Sequence, residues 1–172
     1  MPSKSKTKGK TFERDVCKYL SNLYNESFTR VFDSGAFTGG KNAHRRQTLS
    51  EGQVRARKGD IIPPDDWKYF NGECKSYAEF PFHQLFSQGP VLLLETWIEQ
   101  TLEAADPGDC NIIFMKFNRK GKYVAYQLPQ DFKTFRHLDY TSQAQDVWRI
   151  TGFDDFFELN QDSFSTRCKN AN

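Results

Sequence analysis

The chain lacks a long apolar run, since no stretch approaches the roughly 18 apolar residues that a membrane span requires. No apolar segment follows the basic residues of the first ten positions, so a secretory signal is not expected. The four cysteines have neither CxxC nor Cys/His spacing, which argues against a zinc site, and nothing indicates a small disulfide scaffold. These absences predict a cytoplasmic protein that does not bind a membrane and whose thiols stay reduced.

Net charge is also small, +2 over 172 residues, so the field of the whole molecule indicates little about partners. The distribution of charge is more informative, because basic residues are concentrated in two places. The first ten residues carry four lysines, which either contact a polyanion or form a solvated tail. The second concentration precedes Asp60 and is predicted to bind nucleic acid. It comprises Lys41, His44, Arg45, Arg46, Arg55, Arg57 and Lys58.

Two short motifs indicate chemistry. Asp60 lies in the sequence Lys-Gly-Asp-Ile-Ile, and Glu73-Cys74-Lys75 follows on a predicted strand. Because side chains alternate across a strand, Glu73 and Lys75 share one face while Cys74 faces the other way. Two converging carboxylates suit a hard cation such as Mg²⁺, and a nearby lysine can stabilise a phosphoryl transition state or orient water. The pattern therefore indicates a metal-dependent phosphodiesterase.

The pairing of these two motifs has two possible registers. If Asp60 lies opposite Glu73 in an antiparallel hairpin, the turn is centred between Asp66 and Trp67, next to a Pro-Pro-Asp-Asp turn signal. A rival register uses Asn71-Gly72 as a two-residue turn and leaves Asp60 unplaced.

The remaining periodicity predicts helices and strands in the order αβββαβ, followed by a further strand. The first helix spans about 11–24, and Glu13 lies at the edge of its apolar stripe, either as a solvated flank residue or near the site. We expect a flexible tail over 1–10 and one domain over 11–172, with a core of about 11–128. The extension 129–172 is rich in aromatic residues and is predicted to form short helices, with at most one strand, that cover the sheet or join a second subunit. A small mixed sheet flanked by helices is an α/β fold.

A long segment, 36–57, separates the first two predicted strands. Its Gly, Ser, Gln, Arg and Lys content fits either a loop that becomes ordered on phosphates or a disordered insertion.

The order of these motifs resembles the PD-(D/E)XK nuclease superfamily, and within it the archaeal and phage-type Holliday junction resolvases. The resemblance covers about residues 9–128 and implies a restriction-endonuclease-like core. It is carried by Gly-Lys-x-Phe-Glu-Arg at 9–14, Asp-Ser-Gly at 33–35, Gly-Asp-Ile-Ile at 59–62 and Gly-Glu-Cys-Lys-Ser at 72–76. The sequence departs from the pattern in its long 36–57 segment, and in having Gly59 where proline is common before the aspartate.

The resemblance implies roles for six residues. Asp60 and Glu73 would bind the metal together with the main-chain carbonyl of Cys74, and Glu13 would contribute to the metal site or its water. Lys75 would be the lysine of the family's Glu-x-Lys motif. Ser34 would lie near the scissile phosphate. The expected cofactor is Mg²⁺, with Mn²⁺ able to substitute, and one or two ions are both compatible with the sequence.

The resemblance thus favours a DNA endonuclease of a bacterial, archaeal or phage-infected cell that acts on branched DNA as a homodimer. Two other interpretations remain open. One is a restriction-type, nicking or end-processing nuclease of the same superfamily, and the other is a DNA-binding protein without catalysis.

Overall fold

The structure, a computed structural model, describes residues 4–31 and 58–170. Three α-helices and seven strands form these parts, together with a 3-10 helix at Phe82–Phe86. The helices are α1 (Lys4–Tyr24), α2 (Leu92–Ala104) and α3 (Phe153–Lys169). The strands are β1 (Thr29–Arg30), β2 (Ile61–Ile62), β3 (Phe70–Tyr77), β4 (Cys110–Phe117), β5 (Gly121–Gln127), β6 (His137–Thr141) and β7 (Val147–Gly152). The predicted α/β class is confirmed.

A five-stranded mixed sheet in the order β3-β4-β5-β7-β6 forms the centre of the fold. Strands β3 and β4 are parallel because the chain returns between them through α2. Strands β4 and β5 form an antiparallel hairpin, as the turn sequence Asn118-Arg119-Lys120-Gly121 predicts. Arg119 and Gly121 have positive φ angles, 58° and 97°, which let the hairpin reverse within a few residues.

Apolar side chains cover both faces of the sheet, because alternate residues of each strand point to opposite faces. Ile112 and Phe114 of β4 belong to the core that contains the α1 stripe and the α3 aromatics. Ile113 and Met115 belong to a second core, formed with α2. The helices therefore enclose the sheet on both sides, with α1 and α3 on one face and α2 on the other.

Helix α1 begins at Lys4, earlier than the predicted start near Thr11, so part of the expected flexible tail is helical. Of the predicted apolar stripe of α1, Phe12, Val16 and Leu20 are buried and Leu23 is half-buried. Among the described residues, no helix is both long and apolar enough to cross a membrane.

The expected hairpin between the second and third strands is not formed in either register. Strand β2 pairs instead with β1, antiparallel, with Arg30 opposite Ile61. The segment before β2 contacts β3 through one hydrogen bond, in which the N–H of Asp60 donates to the carbonyl of Gly72 at 3.0 Å. Asp60 and Glu73 still come together, because Asp60 lies alongside the free edge of β3.

The C-terminal region differs most from the prediction. It contains two strands, β6 and β7, which extend the sheet, and one 17-residue helix with a kink at Asn160. The aromatic residues that were expected to offer a subunit interface are largely internal, since Phe132, Trp148 and Phe156 are buried. Phe135 is the exception and is 63% exposed.

Candidate active site

Asp60 is positioned at the edge of β3 by a close approach of two backbone segments. Its Oδ2 accepts a hydrogen bond from the N–H of Cys74 at 2.9 Å. Gly59 has a φ of +62°, and a Cβ at this position would lie 2.4 Å from the carbonyl oxygen of Gly72. Glycine is therefore required at this position, since any Cβ would clash and proline is fixed near a φ of −65°.

Lys58, the residue before Gly59, anchors the chain through two ion pairs. Its Nζ lies 3.0 Å from Oδ2 of Asp106 and forms a second ion pair with Asp109. Only 4% of the Lys58 side chain and 2% of the Asp109 side chain are exposed. Lys58 was expected to bind nucleic acid, and the structure corrects that expectation because its ammonium group is buried between two carboxylates.

Glu73 meets Asp60 at this edge. Asp60 is close enough for its charge to act on Glu73, and Lys75 donates to Oε1 of Glu73 at 2.7 Å. Burial, followed by the charge of Asp60, raises the pKa of Glu73 to about 7, although Lys75 opposes this rise. The fold thus brings two carboxylates together despite their mutual repulsion.

Lys75 has a second partner that the sequence did not indicate. Its Nζ also donates to Oε1 of Gln100, an exposed residue of α2, at 2.7 Å. The ammonium group is therefore held between a carboxylate of its own strand and an amide of the crossover helix. Gln100 lies off the apolar stripe of α2 and belongs to none of the short motifs, so no sequence signal marked it.

Glu13 lies near the carboxylate pair and has a cation of its own. Its Oε2 is 3.1 Å from Nη1 of Arg30 in β1, and the Glu13 side chain is 11% exposed. Burial and the charge of Asp60 raise the pKa of Glu13, whereas Arg30 and Lys10 lower it. Of the two positions considered for Glu13, the structure gives the one near the site.

Cys74 contributes its main chain to the site. In an extended strand the N–H and C=O of one residue point to the same side. Since its N–H points to Asp60, the Cys74 carbonyl also faces the carboxylate side of β3. The thiol is buried in the core with α1, and this burial raises its pKa far above the usual value.

The donor set fits a divalent cation. Asp60, Glu73 and the Cys74 carbonyl offer oxygen ligands, the type preferred by Mg²⁺ and Mn²⁺. A cation between the two carboxylates would also remove the repulsion that raises the pKa of Glu73. Within residues 4–31 and 58–170, however, no three His, Cys, Asp or Glu side chains are grouped as a metal cluster. Glu13 accordingly does not complete a three-carboxylate set with Asp60 and Glu73.

Several expected site residues lie outside the described parts of the chain, which exclude 32–57. They are Ser34, Lys41, His44, Arg45, Arg46, Arg55 and Arg57.

A five-stranded mixed sheet flanked by three helices is consistent with a restriction-endonuclease-like core. A scan of protein-family models matches residues 4–170 to the family described as "Phage putative PDDEXK endonuclease". The chain therefore belongs to this family, and the predicted membership of the PD-(D/E)XK superfamily is confirmed. Searches of curated proteins and of solved structures gave no match.

Proposed function

We propose that this protein is a Mg²⁺-dependent DNA endonuclease that hydrolyses phosphodiester bonds and selects branched DNA. One observation carries the proposal: Asp60 and Glu73 meet at the edge of β3 with the Lys75 ammonium 2.7 Å from Glu73. Carboxylates so placed attract a divalent cation, and the ammonium adds positive charge where a phosphate would develop negative charge.

Asp60, Glu73 and the Cys74 carbonyl would hold the cation. When bound, Mg²⁺ would polarise a phosphoryl oxygen and lower the pKa of a water molecule. Manganese, which also accepts oxygen ligands, is expected to substitute.

Lys75 would act directly on the phosphate. An ammonium group carries three hydrogens, and within the described parts of the chain Lys75 donates two of them, to Glu73 and Gln100. The third can bond a non-bridging phosphate oxygen as water attacks phosphorus and the bond to the leaving oxygen breaks. Glu73 and Gln100 fix the direction of this donor.

Glu13, Ser34 and the basic residues of 41–57 are the outer parts of the proposed site. Glu13 is close enough to Asp60 that, after burial, the charge of Asp60 raises the pKa of Glu13. Ser34 is proposed to contact the scissile phosphate, and Lys41, His44, Arg45, Arg46, Arg55 and Arg57 are proposed to bind the backbone around it.

The choice of branched DNA rests on the motif resemblance to junction resolvases. A four-way junction presents two equivalent strands, which a two-fold homodimer matches. The dimer is therefore part of the proposal, and light scattering at tens of micromolar protein tests it. A monomer under those conditions would remove the dimer from the proposal without affecting the active site.

Cleavage of labelled four-way junction and matched linear duplex, with Mg²⁺ or with EDTA, tests the function. We expect wild type to cut the junction only with metal, and Glu73→Gln to be inactive. Glu103→Gln is the matched control, because Glu103 is an exposed glutamate of α2. The control should cut like wild type.

The other outcomes identify the alternatives. Metal-dependent cutting of linear duplex would assign a restriction-type, nicking or end-processing enzyme with the same site. Binding of DNA without cleavage in either buffer would contradict catalysis and favour a binding protein.

A further inference from the structure

Exposed cations lie at the end of the sheet where β3 and β4 end, and on the neighbouring first half of α1. The turn of the β4–β5 hairpin carries Arg119 and Lys120, and the first half of α1 carries Lys10 and Arg14. All four side chains are exposed, and none forms an ion pair within the described residues. We call these four residues the basic rim.

The hairpin part of the basic rim lies beyond the C-terminal ends of β3 and β4, further along the strands than the candidate active site. In the parallel pairing of β3 with β4, Lys75 lies opposite Met115 and Ser76 lies opposite Lys116. Arg119 therefore lies four positions, and Lys120 five positions, beyond the β4 residue that is paired with the lysine of the site. Lys116 itself is engaged, because its Nζ is 3.5 Å from Asp15.

The helical part is joined to both the hairpin and the site. Lys116 lies over the Phe12 ring, 5.7 Å from its centroid, so the hairpin base contacts the first half of α1. Lys10 precedes Glu13 by about one turn, and its charge acts on that carboxylate. Lys10 and Arg14 are spaced by about 6 Å along the helix axis, one turn apart on α1.

We propose that the basic rim binds the phosphate backbone of the duplex arm next to the scissile phosphate. The inference rests on the proposed function and assigns the DNA contact to a surface distinct from the segment 41–57. Phosphates are the complementary partner because duplex DNA carries one negative charge per about 1.7 Å, and unpaired cations release its counterions on binding. Contacts of this kind fix the position of the duplex without reading its sequence.

The test is the salt dependence of DNA binding in EDTA, measured by fluorescence anisotropy with a labelled linear duplex and a labelled junction. The triple variant Arg14→Gln/Arg119→Gln/Lys120→Gln removes three charges and leaves Lys10, which acts on Glu13, in place. We expect the slope of log K against log salt to fall by about 2–3 and the affinity to weaken about tenfold or more.

The matched control is Lys133→Gln/Arg136→Gln. Both residues are exposed and precede β6, which is the opposite edge strand of the sheet. This variant should bind DNA with the wild-type slope. Circular dichroism checks that each variant is folded, and Arg119→Gln/Lys120→Gln alone, expected to lower the slope by about 1–2, serves if the triple variant is unstable.

Two outcomes would overturn the inference, and they are distinguishable. If wild type binds and cleaves DNA but the rim variants keep its slope, the basic rim is only a solvated surface and the proposed function stands. If wild type neither binds nor cleaves DNA, the rim proposal and the proposed function both fail.

Discussion

Lys75 in β3 and Gln100 in α2 are 25 positions apart in the chain, and their Nζ and Oε1 atoms are 2.7 Å apart. The contact ties the direction of the lysine to the helix that crosses between β3 and β4. Removing the amide would free the ammonium group to swing away from the phosphate position without removing its charge.

Gln100→Ala should therefore lower the single-turnover cleavage rate by about 10–100-fold with little change in KM, as outer contacts to functional groups commonly do. Gln100→Glu keeps an oxygen acceptor and should recover part of the rate. Gln84→Ala, an exposed glutamine of the 3-10 helix, is the control and should match wild type. A wild-type rate for Gln100→Ala would mean that Glu73 alone orients Lys75.

Gly59→Ala should destabilise the fold. The residue would have to adopt a φ of +62° with its Cβ only 2.4 Å from the Gly72 oxygen. Left-handed backbone alone costs about 1–2 kcal/mol, so we expect a loss of about 2 kcal/mol or more, or roughly 4–8 °C in Tm. Thermal denaturation followed by circular dichroism measures this shift.

Gly89→Ala is the control for that experiment, because a Cβ at Gly89 would have no atom within 4 Å. Its Tm should remain at or slightly above that of wild type. Equal Tm values for both alanine variants would show that the backbone at Gly59 adapts easily.

Lys58→Met should be strongly destabilising. It leaves Asp109, whose side chain is 2% exposed, without its buried cation. Breaking a buried pair in this way costs about 3–5 kcal/mol. Urea denaturation should show this loss, and adding Asp109→Asn should restore part of it because the buried charge is then removed.

The exposed pair of Lys122 with Asp154 provides the comparison for Lys58. Its side chains are 39% and 78% exposed, so Lys122→Met should cost no more than about 1 kcal/mol. If Lys58→Met lowers the free energy of unfolding as little as Lys122→Met does, the structural role assigned to Lys58 is contradicted.

Tyr140→Phe should cost about 1–2 kcal/mol at neutral pH. The hydroxyl accepts from the N–H of Val91 at 3.0 Å and donates to Glu95, so its removal leaves both groups without this partner. Urea denaturation of both proteins measures the difference, and Tyr77→Phe, on a 43%-exposed ring, is the control.

The same tyrosine predicts a pH dependence. Burial, followed by the hydrogen bond to Glu95, raises the pKa of Tyr140 from about 10 to about 12. A raised pKa favours the protonated hydroxyl in the folded state, so its stabilisation is fully present below pH 10 and is lost as pH rises through 12. The difference in the free energy of unfolding between wild type and Tyr140→Phe should therefore decrease between pH 10 and pH 12. A constant difference would contradict the shift.

The sequence predicted the residues whose arrangement depends on local geometry. The shared face of Glu73 and Lys75 follows from strand alternation, and the β4–β5 hairpin follows from its turn residues. Gln100 and the partners of Lys58 could not be predicted, because they depend on how α2 and its following loop pack against β3. The pairing of β2 with β1 rather than with β3 could not be predicted for the same reason, because it depends on contacts between residues that are far apart in the chain.

The C-terminal strands were missed although part of their signal was present. Trp148 and Ile150 alternate with polar residues, which is a strand pattern. Phe153, Phe156 and Phe157 recur at helical spacing, which indicates α3. Read as one aromatic cluster, these residues resembled an interface, whereas in the fold they are divided between the cores on the two faces of the sheet.

The pairing of β1 with β2 has a consequence for how this protein can change over evolution. The N–H of Val31 donates to the carbonyl of Asp60 at 3.0 Å. This hydrogen bond holds the residues before and after the segment 32–57 next to each other. The entropy of closing such a segment grows only with the logarithm of its length. Insertions, deletions or wholesale exchange between its ends should therefore leave Asp60 in place. A lineage that remodels that stretch would change the proposed DNA contacts while inheriting the carboxylate pair unchanged.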